Sequence, residues 1–333
     1  MDVGAFTATI VMLVIVALVF DFMNGFHDAA NSIATVVSTG VLKPYQAVIW
    51  AAFFNFIAIL IFELKVAATV GKGIVDPGIV DNHVIFGALI GAISWNVITW
   101  YYGLPSSSSH ALIGGMIGAT IAKAGTGPLL APGIIKTSCF IVVAPVLGML
   151  LSGSIIIGLS WLLRYRTQRQ TDKWFRRLQY ISSALYSIGH GGNDAQKTMG
   201  IIWLLLMSAG LATPQHLPNW VVVACFVAIA IGTLFGGWRI VKTMGQRITK
   251  LRPIGGFAAE SGGAISLFLA TAFGIPVSTT HTITGSIIGV GSAQRARAVR
   301  WGVAGNIIAA WVLTIPASAL IAAGAWWLGW QFF

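Results

Sequence analysis

The chain has 333 residues, of which 56% are hydrophobic and only 9% charged, against about 25% charged in a soluble domain. With a mean hydropathy of +0.84, these values exclude a soluble globular domain and predict an integral membrane protein. The net charge of +11 does not call for a nucleic-acid partner, because Lys and Arg gather in short loops between apolar runs, as they do on the cytoplasmic side of membrane proteins.

In chain order, the apolar runs 5–20, 47–62, 84–101, 134–163, 220–238, 255–273 and 299–330 are of the length class that crosses the hydrocarbon layer as helix, for which roughly 20 residues are needed. A β-barrel would instead show alternating segments of about 10 residues. The first run has no basic head or small-residue cleavage site and is expected to be a retained helix. Cys139 and Cys225 both lie in apolar runs and are expected to behave as small buried hydrophobes, with no disulfide framework and no resident metal site. No nucleotide-binding GxxxxGK[ST] stretch is present, so ATP is not expected to drive this chain directly.

Three loops carry most of the positive charge: 164–177 with six Lys or Arg, 239–252 with five and 295–300 with three. The positive-inside rule makes all three cytoplasmic. Tracing crossings between them predicts both termini outside and about five crossings in each half, an odd number that inverts the second half. The fold class expected is thus an all-α polytopic membrane protein of two inverted-topology repeats, with broken or re-entrant helices and 10–12 transmembrane segments. The division expected is a first repeat over 1–163, a basic cytoplasmic linker over 164–180 and a second repeat over 181–333.

Internal duplication supports that plan. Residues 103–118 read GLPSSSSHALIGGMIG and residues 274–289 read GIPVSTTHTITGSIIG, with Pro105 and His110 answered 171 positions later by Pro276 and His281. Pro145 and Pro316 repeat the same spacing, while Asp28 in NGFHDAANS is answered by Asp194 in HGGNDAQKT. Inverted repeats interrupted by Gly and polar residues mark secondary transporters whose site lies near the bilayer midplane.

Each copy of the first motif sets a proline, a run of hydroxyls and a histidine at the head of an apolar helix. Helix starts offer free N–H groups and about half a positive charge, which suits an oxyanion. Ser107, Ser108, Ser109, Ser278, Thr279 and Thr280 are therefore candidate anion ligands. His110 and His281 follow on the first turn, where a core hydrogen bond is as reasonable as a titrating role.

In the second motif Asp21, Asn24, Asp28 and Asn31 form one stripe on a helix, or flank a break if the helix unwinds at Asn24-Gly25. A charged residue inside a membrane helix costs roughly 2.5–3.5 kcal/mol on insertion scales, so Asp28 and Asp194 are read as functional. Asp21, closing a 20-residue span, reads equally well as an interfacial helix end. Asn31, Asn193 and Glu260 complete the candidate cation-coupling set. Lys197, three residues past Asp194, is expected to pair with it and to occupy the place of one cation. Glu63 and Lys65 read as a solvated pair, and Trp326, Trp327, Trp330, Phe332 and Phe333 as an interfacial aromatic belt.

The paired elements GFHDAANSIAT and GGNDAQKTMG, followed by GLPSSSSH and GIPVSTTH, resemble the inorganic phosphate transporter (PiT) family over nearly the whole chain, and most of all its bacterial low-affinity permeases. The resemblance implies phosphate uptake across the inner membrane by symport with H⁺ or Na⁺, no cofactor, and a fold that often forms homodimers. Some members carry phosphate as a complex with a divalent metal, and some carry sulfate. It also implies that Asp28, Asn31, Asn193 and Asp194 belong to the substrate and cation region, that the six hydroxyls line phosphate, and that Glu260 is a family acidic position. The family's sodium-coupled pattern has Asn where this chain has Lys197 and His27, which favours proton coupling here. The alternatives are a sulfate permease of the same family and an anion channel; no nucleophile and base pair suggests an enzyme.

Overall fold

A computed structural model describes residues 3–332, with the side chains of 7–331. The chain is almost entirely helical, and no strand forms among the described residues. The first half runs α1 (Val3–Ser38), α2 (Pro44–Ile57, continued by a 3₁₀ turn), α3 (Lys65–Gly73), α4 (Asn82–Tyr102), α5 (Ser108–Ala124) and α6 (Ala131–Leu162). The second runs α7 (Gln168–Ser208), α8 (Asn219–Phe235), α9 (Trp238–Lys242, continued by a π turn), α10 (Pro253–Ala272), α11 (Thr279–Arg295) and α12 (Trp301–Phe332).

The two halves repeat the same element order. Each has a long first helix, a broken pair (α2 with α3, bent by 82°; α8 with its successor, bent by 62°), a 20-residue-class helix, a short helix and a long proline-bearing one. Among the described residues, by length and hydropathy alone, five helices can cross a membrane, or seven if each bent pair is one span. The chain is a multi-pass membrane protein. The segment expected as a linker is loop only to Thr167, whose side chain caps α7; residues 168–180 are the first turns of that helix.

Packing between the halves is reciprocal. Helix α12 lies on α4 and α5, and α6 lies on α10 and α11. Glycines permit these close approaches: a Cβ on Gly118 of α5 would stand 2.1 Å from the Ala319 carbonyl oxygen, and one on Gly289 of α11 would stand 2.2 Å from that of Met149. Helices α1 and α7 form the centre. Every residue of α7 from 186 to 206 is buried, which for a helix so rich in polar side chains requires internal partners. Two apolar clusters flank this centre. Helix α1 contributes Ile10, Leu13 and Phe20 to one and Ala30, Ile33 and Val36 to the other, leaving its acidic stripe between them.

Two open alternatives are decided and one expectation changes. Helix α1 is continuous through Asn24-Gly25, because Gly25 there serves close packing: its Cβ would meet the Ile229 carbonyl oxygen of α8 at 2.2 Å. Asp21 is fully buried rather than interfacial, because α7 and α8 cover that face of α1. Cys139 is exposed on the outer face of α6 while Cys225 is buried. Glu63 and Lys65 form the exposed pair expected, 2.9 Å apart. Trp327 and Trp330 face outward; the side chain of Phe332, and Phe333, lie outside the described residues.

Candidate functional site

Both duplicated loops build the same local structure. Gly103 and Gly274 end α4 and α10 with φ of +65° each, a left-handed conformation that favours glycine. The chain then extends through Pro105 or Pro276 and enters the next helix at a serine N-cap. The Ser107 hydroxyl accepts from the His110 N–H, and the Ser278 hydroxyl accepts from the His281 N–H, both at 3.2 Å. Ser107 and Ser278 are thereby helix caps, and their hydroxyl protons are what they can still offer a ligand.

The starts of α5 and α11 meet in the interior. The rings of His110 and His281 pack edge to face with centroids 4.6 Å apart, and His281 stacks on Trp311 at 3.7 Å. This aromatic stack stands behind the helix starts. Trp311 is fixed in turn by donating from Nε1 to the Pro105 carbonyl oxygen at 3.1 Å.

Against these helix starts lie the two aspartate motifs. On α7, Asp194 accepts from Lys197 Nζ at Oδ1 (2.5 Å) and from the Thr279 hydroxyl at Oδ2 (3.1 Å). Lys197 also donates to the Ser109 hydroxyl at 2.5 Å and to the Val277 carbonyl oxygen at 2.7 Å. On α1, the His27 ring lies between Asp28 (2.6 Å) and Thr99 (3.1 Å), and the Thr280 hydroxyl reaches Asp28 at 3.4 Å. Asn31 Nδ2 donates to both Thr279 (3.1 Å) and Thr280 (2.9 Å). The Ser108 hydroxyl is buried with no partner among the described residues. The sequence positions 28 and 194 thus converge on one buried place, with carboxylates from α1 and α7 and hydroxyls from the head of α11.

Two candidates lie outside this group. Asn193 donates to Thr271 and to the Ile275 carbonyl oxygen and accepts from the Val277 N–H, so it clamps the loop before α11. Glu260 accepts from Thr35 (2.6 Å), Gln179 (2.9 Å) and Ser182 (2.5 Å) in a separate buried cluster. The Tyr186 hydroxyl donates to the Thr279 carbonyl oxygen at 2.9 Å.

Sequence reasoning passed over His190. Its Nε2 lies 3.2 Å from Asp194 Oδ2, too poorly aimed to count as a hydrogen bond, and one ligand atom each from Asp28, His190 and Asp194 fall within 4.8 Å of one another. Two carboxylates and a neutral imidazole at such range can hold a cation. The one available signal was the HGGND motif, with His190 one turn before Asp194; the third partner comes from the other half.

The phosphate transporter family matches residues 24–322. The chain belongs to this family. It is 61% identical to a probable low-affinity inorganic phosphate transporter of Rhizobium meliloti (strain 1021), over 97% of each chain, and 46% identical to one of Bacillus subtilis (strain 168), over 96% of each. A solved structure entitled "The sodium-dependent phosphate transporter" superposes with a TM-score of 0.87 at 25% identity, covering 98% of this chain and 100% of that one. The family is one of transport proteins rather than enzymes, which bears out the resemblance read from the sequence, and the superposition bears out the all-helical fold.

Proposed function

We propose that this transporter imports inorganic phosphate across the inner membrane together with a cation, and that the cation is H⁺. The halves 1–163 and 181–333 act as inverted repeats about the buried site, with the basic loops 164–177, 239–252 and 295–300 on the cytoplasmic side. Phosphate is held between the starts of α5 and α11, whose N–H groups and hydroxyls converge there.

Electrostatics explains why the anion needs company. Asp28 and Asp194, ionised, with one charged Lys197 leave a net negative charge beside the phosphate position. At roughly 5 Å and an effective dielectric near 20, two like unit charges repel by about 3 kcal/mol. A proton or another cation taken up among Asp28, His190 and Asp194 removes that opposition, so the anion and the cation bind together.

Lys197 carries the choice of ion. Its ammonium is gripped by three oxygens, from Asp194, Ser109 and Val277, as a bound cation would be. The tethered charge replaces one mobile sodium and leaves a proton to do the coupling. The solved relative named as sodium-dependent is the reason to test this directly. A metal–phosphate cargo is a second reading, favoured by the closeness of Asp28, His190 and Asp194.

The experiment is labelled phosphate uptake into proteoliposomes under an imposed pH gradient or an imposed Na⁺ gradient, with excess sulfate as competitor and with a chelator in parallel. Uptake driven by the pH gradient, indifferent to sulfate and to the chelator, is the expected result. Drive by Na⁺ alone overturns the proton assignment, displacement by sulfate moves the substrate, and loss with chelator selects the metal complex. Flux without dependence on any gradient selects a channel.

A further inference from the structure

Asp21 stands apart from every group used above. It is fully buried on α1, its Oδ1 accepts from the Thr198 hydroxyl at 2.9 Å, and its Oδ2 has no partner among the described residues. Asn24, one turn further along α1 and beside Asp21, is also buried, and its Oδ1 likewise has no donor. The groups facing Asp21 are Thr198 and, further off, Asp194 on α7, Cys225 on α8, and Asn24 on its own helix. None is basic, and Asp21 enters no ion pair among the described residues.

A buried carboxylate with one hydrogen bond and no counter-charge takes up a proton rather than remain ionised. A proton on Oδ2 turns an oxygen without a partner among the described residues into a donor, on a carboxyl that has no basic neighbour to offset its charge. Sodium fits poorly, since it requires more oxygens than Asp21, Asn24 and Thr198 supply.

Position gives this site a purpose. Asn24 is one turn before Asp28 on α1, and Thr198 is one turn after Asp194 on α7. Seven residues separate Asp21 from Asp28, about 10 Å of helix. A further seven residues lead to Thr35, which donates to Glu260. Helix α1 therefore carries a central acid flanked by a buried acid site on each side, two turns away.

We propose that Asp21, with Asn24 and Thr198, is a proton-binding site on the opposite side of the central carboxylates from Glu260, loading the proton that accompanies phosphate. This rests on the proton-symport reading. The step is balanced by the proton alone: Asp21 takes one H⁺ to become the neutral acid and gives it up again toward the Asp28 and Asp194 site.

Two measurements test the site. Infrared titration of the purified protein should show a carboxylic-acid C=O band at neutral pH that Asp21→Asn removes. Phosphate uptake into proteoliposomes should lose its stimulation by a pH gradient in the same variant, while counterflow exchange of phosphate persists. Thr198→Val, which deletes the hydrogen bond favouring the ionised form, should move the pH profile of uptake to higher pH. That milder variant keeps the proposal falsifiable where Asp21→Asn does not fold. An unchanged infrared band in Asp21→Asn, or an unchanged pH profile in a folded Thr198→Val, overturns it. If the wild type moves no phosphate, the transport reading fails, while the infrared result still decides whether Asp21 holds a proton.

Discussion

Lys197 of α7 donates to the hydroxyl of Ser109 at the head of α5, 88 residues away in sequence and in the other half of the molecule. The same ammonium holds Asp194 at 2.5 Å with 2% of the lysine side chain and none of the aspartate exposed. One side chain thereby ties the aspartate motif of the second half to the hydroxyl run of the first.

Removing that ammonium leaves a buried carboxylate and two bare oxygens. Lys197→Asn is expected to open a place for a mobile cation, so that uptake gains Na⁺ stimulation and loses part of its response to the pH gradient. The check is uptake by wild type and variant under each gradient alone. Lys197→Met, which offers no oxygen and no charge, should lower stability by about 3–5 kcal/mol, the usual cost of stranding one partner of a buried pair, read as a fall in melting temperature that added Na⁺ does not restore.

Neutralising either central carboxylate should stop coupled uptake. Asp28→Asn keeps a hydrogen-bonding partner for Thr280 but removes the charge that calls for a cation; Asp194→Asn also leaves Lys197 without its counter-ion. Both are expected to lose gradient-driven uptake, and Asp194→Asn should in addition melt at lower temperature. Near-normal uptake by both variants would remove the coupling role assigned to them.

Gly25 sits where α1 crosses α8, and from the other side a Cβ on Gly232 of α8 would stand 2.1 Å from the Phe22 carbonyl oxygen. Gly25→Ala forces these backbones apart and is expected to cost about 1–3 kcal/mol, the range for overpacking. Thermal unfolding in detergent measures it. A variant as stable as the wild type would show that the crossing yields freely.

Outside the membrane, Asp81 caps α4 by accepting from the Val84 N–H at 2.9 Å and pairs with Lys123 at 2.6 Å. Partial burial acts to raise its carboxyl, but the hydrogen bond and charge of Lys123 and the Val84 N–H outweigh that and hold it below the ordinary range. A carboxyl depressed in the folded state adds stability that is present above its unfolded value, about 3.9, and is lost as pH falls through the folded one. The melting temperature of the wild type should therefore fall more between pH 5 and pH 3 (roughly the span of these values) than that of Asp81→Ala. Equal falls would mean that the cap and pair contribute nothing.

Much of this was legible in the residues. The length and spacing of apolar runs set the helices, and a duplicated proline–hydroxyl–histidine run announced two helix starts with matching caps, which the paired Ser107 and Ser278 caps bear out. Burial of charge at Asp28, Asp194 and Glu260 followed from their place inside apolar stretches, since no local structure there offers water. The resemblance to phosphate transporters was carried by those same motifs.

What the sequence by itself determined, then, is local: where helices begin and end, which residues must find buried partners, and that the pattern is written twice. The tertiary structure decided the pairings, because a partner met across the fold leaves no trace in local spacing. Only the crossing of α1 and α7 brings Asp28 to His190 and Asp194, and only the loop before α11 gives Asn193 its partners Thr271, Ile275 and Val277. The covering of α1 by α7 and α8 likewise changes Asp21 from a helix end into an enclosed acid, because the charge of a carboxyl is governed by what surrounds it in space, and neighbours in sequence supply little of that.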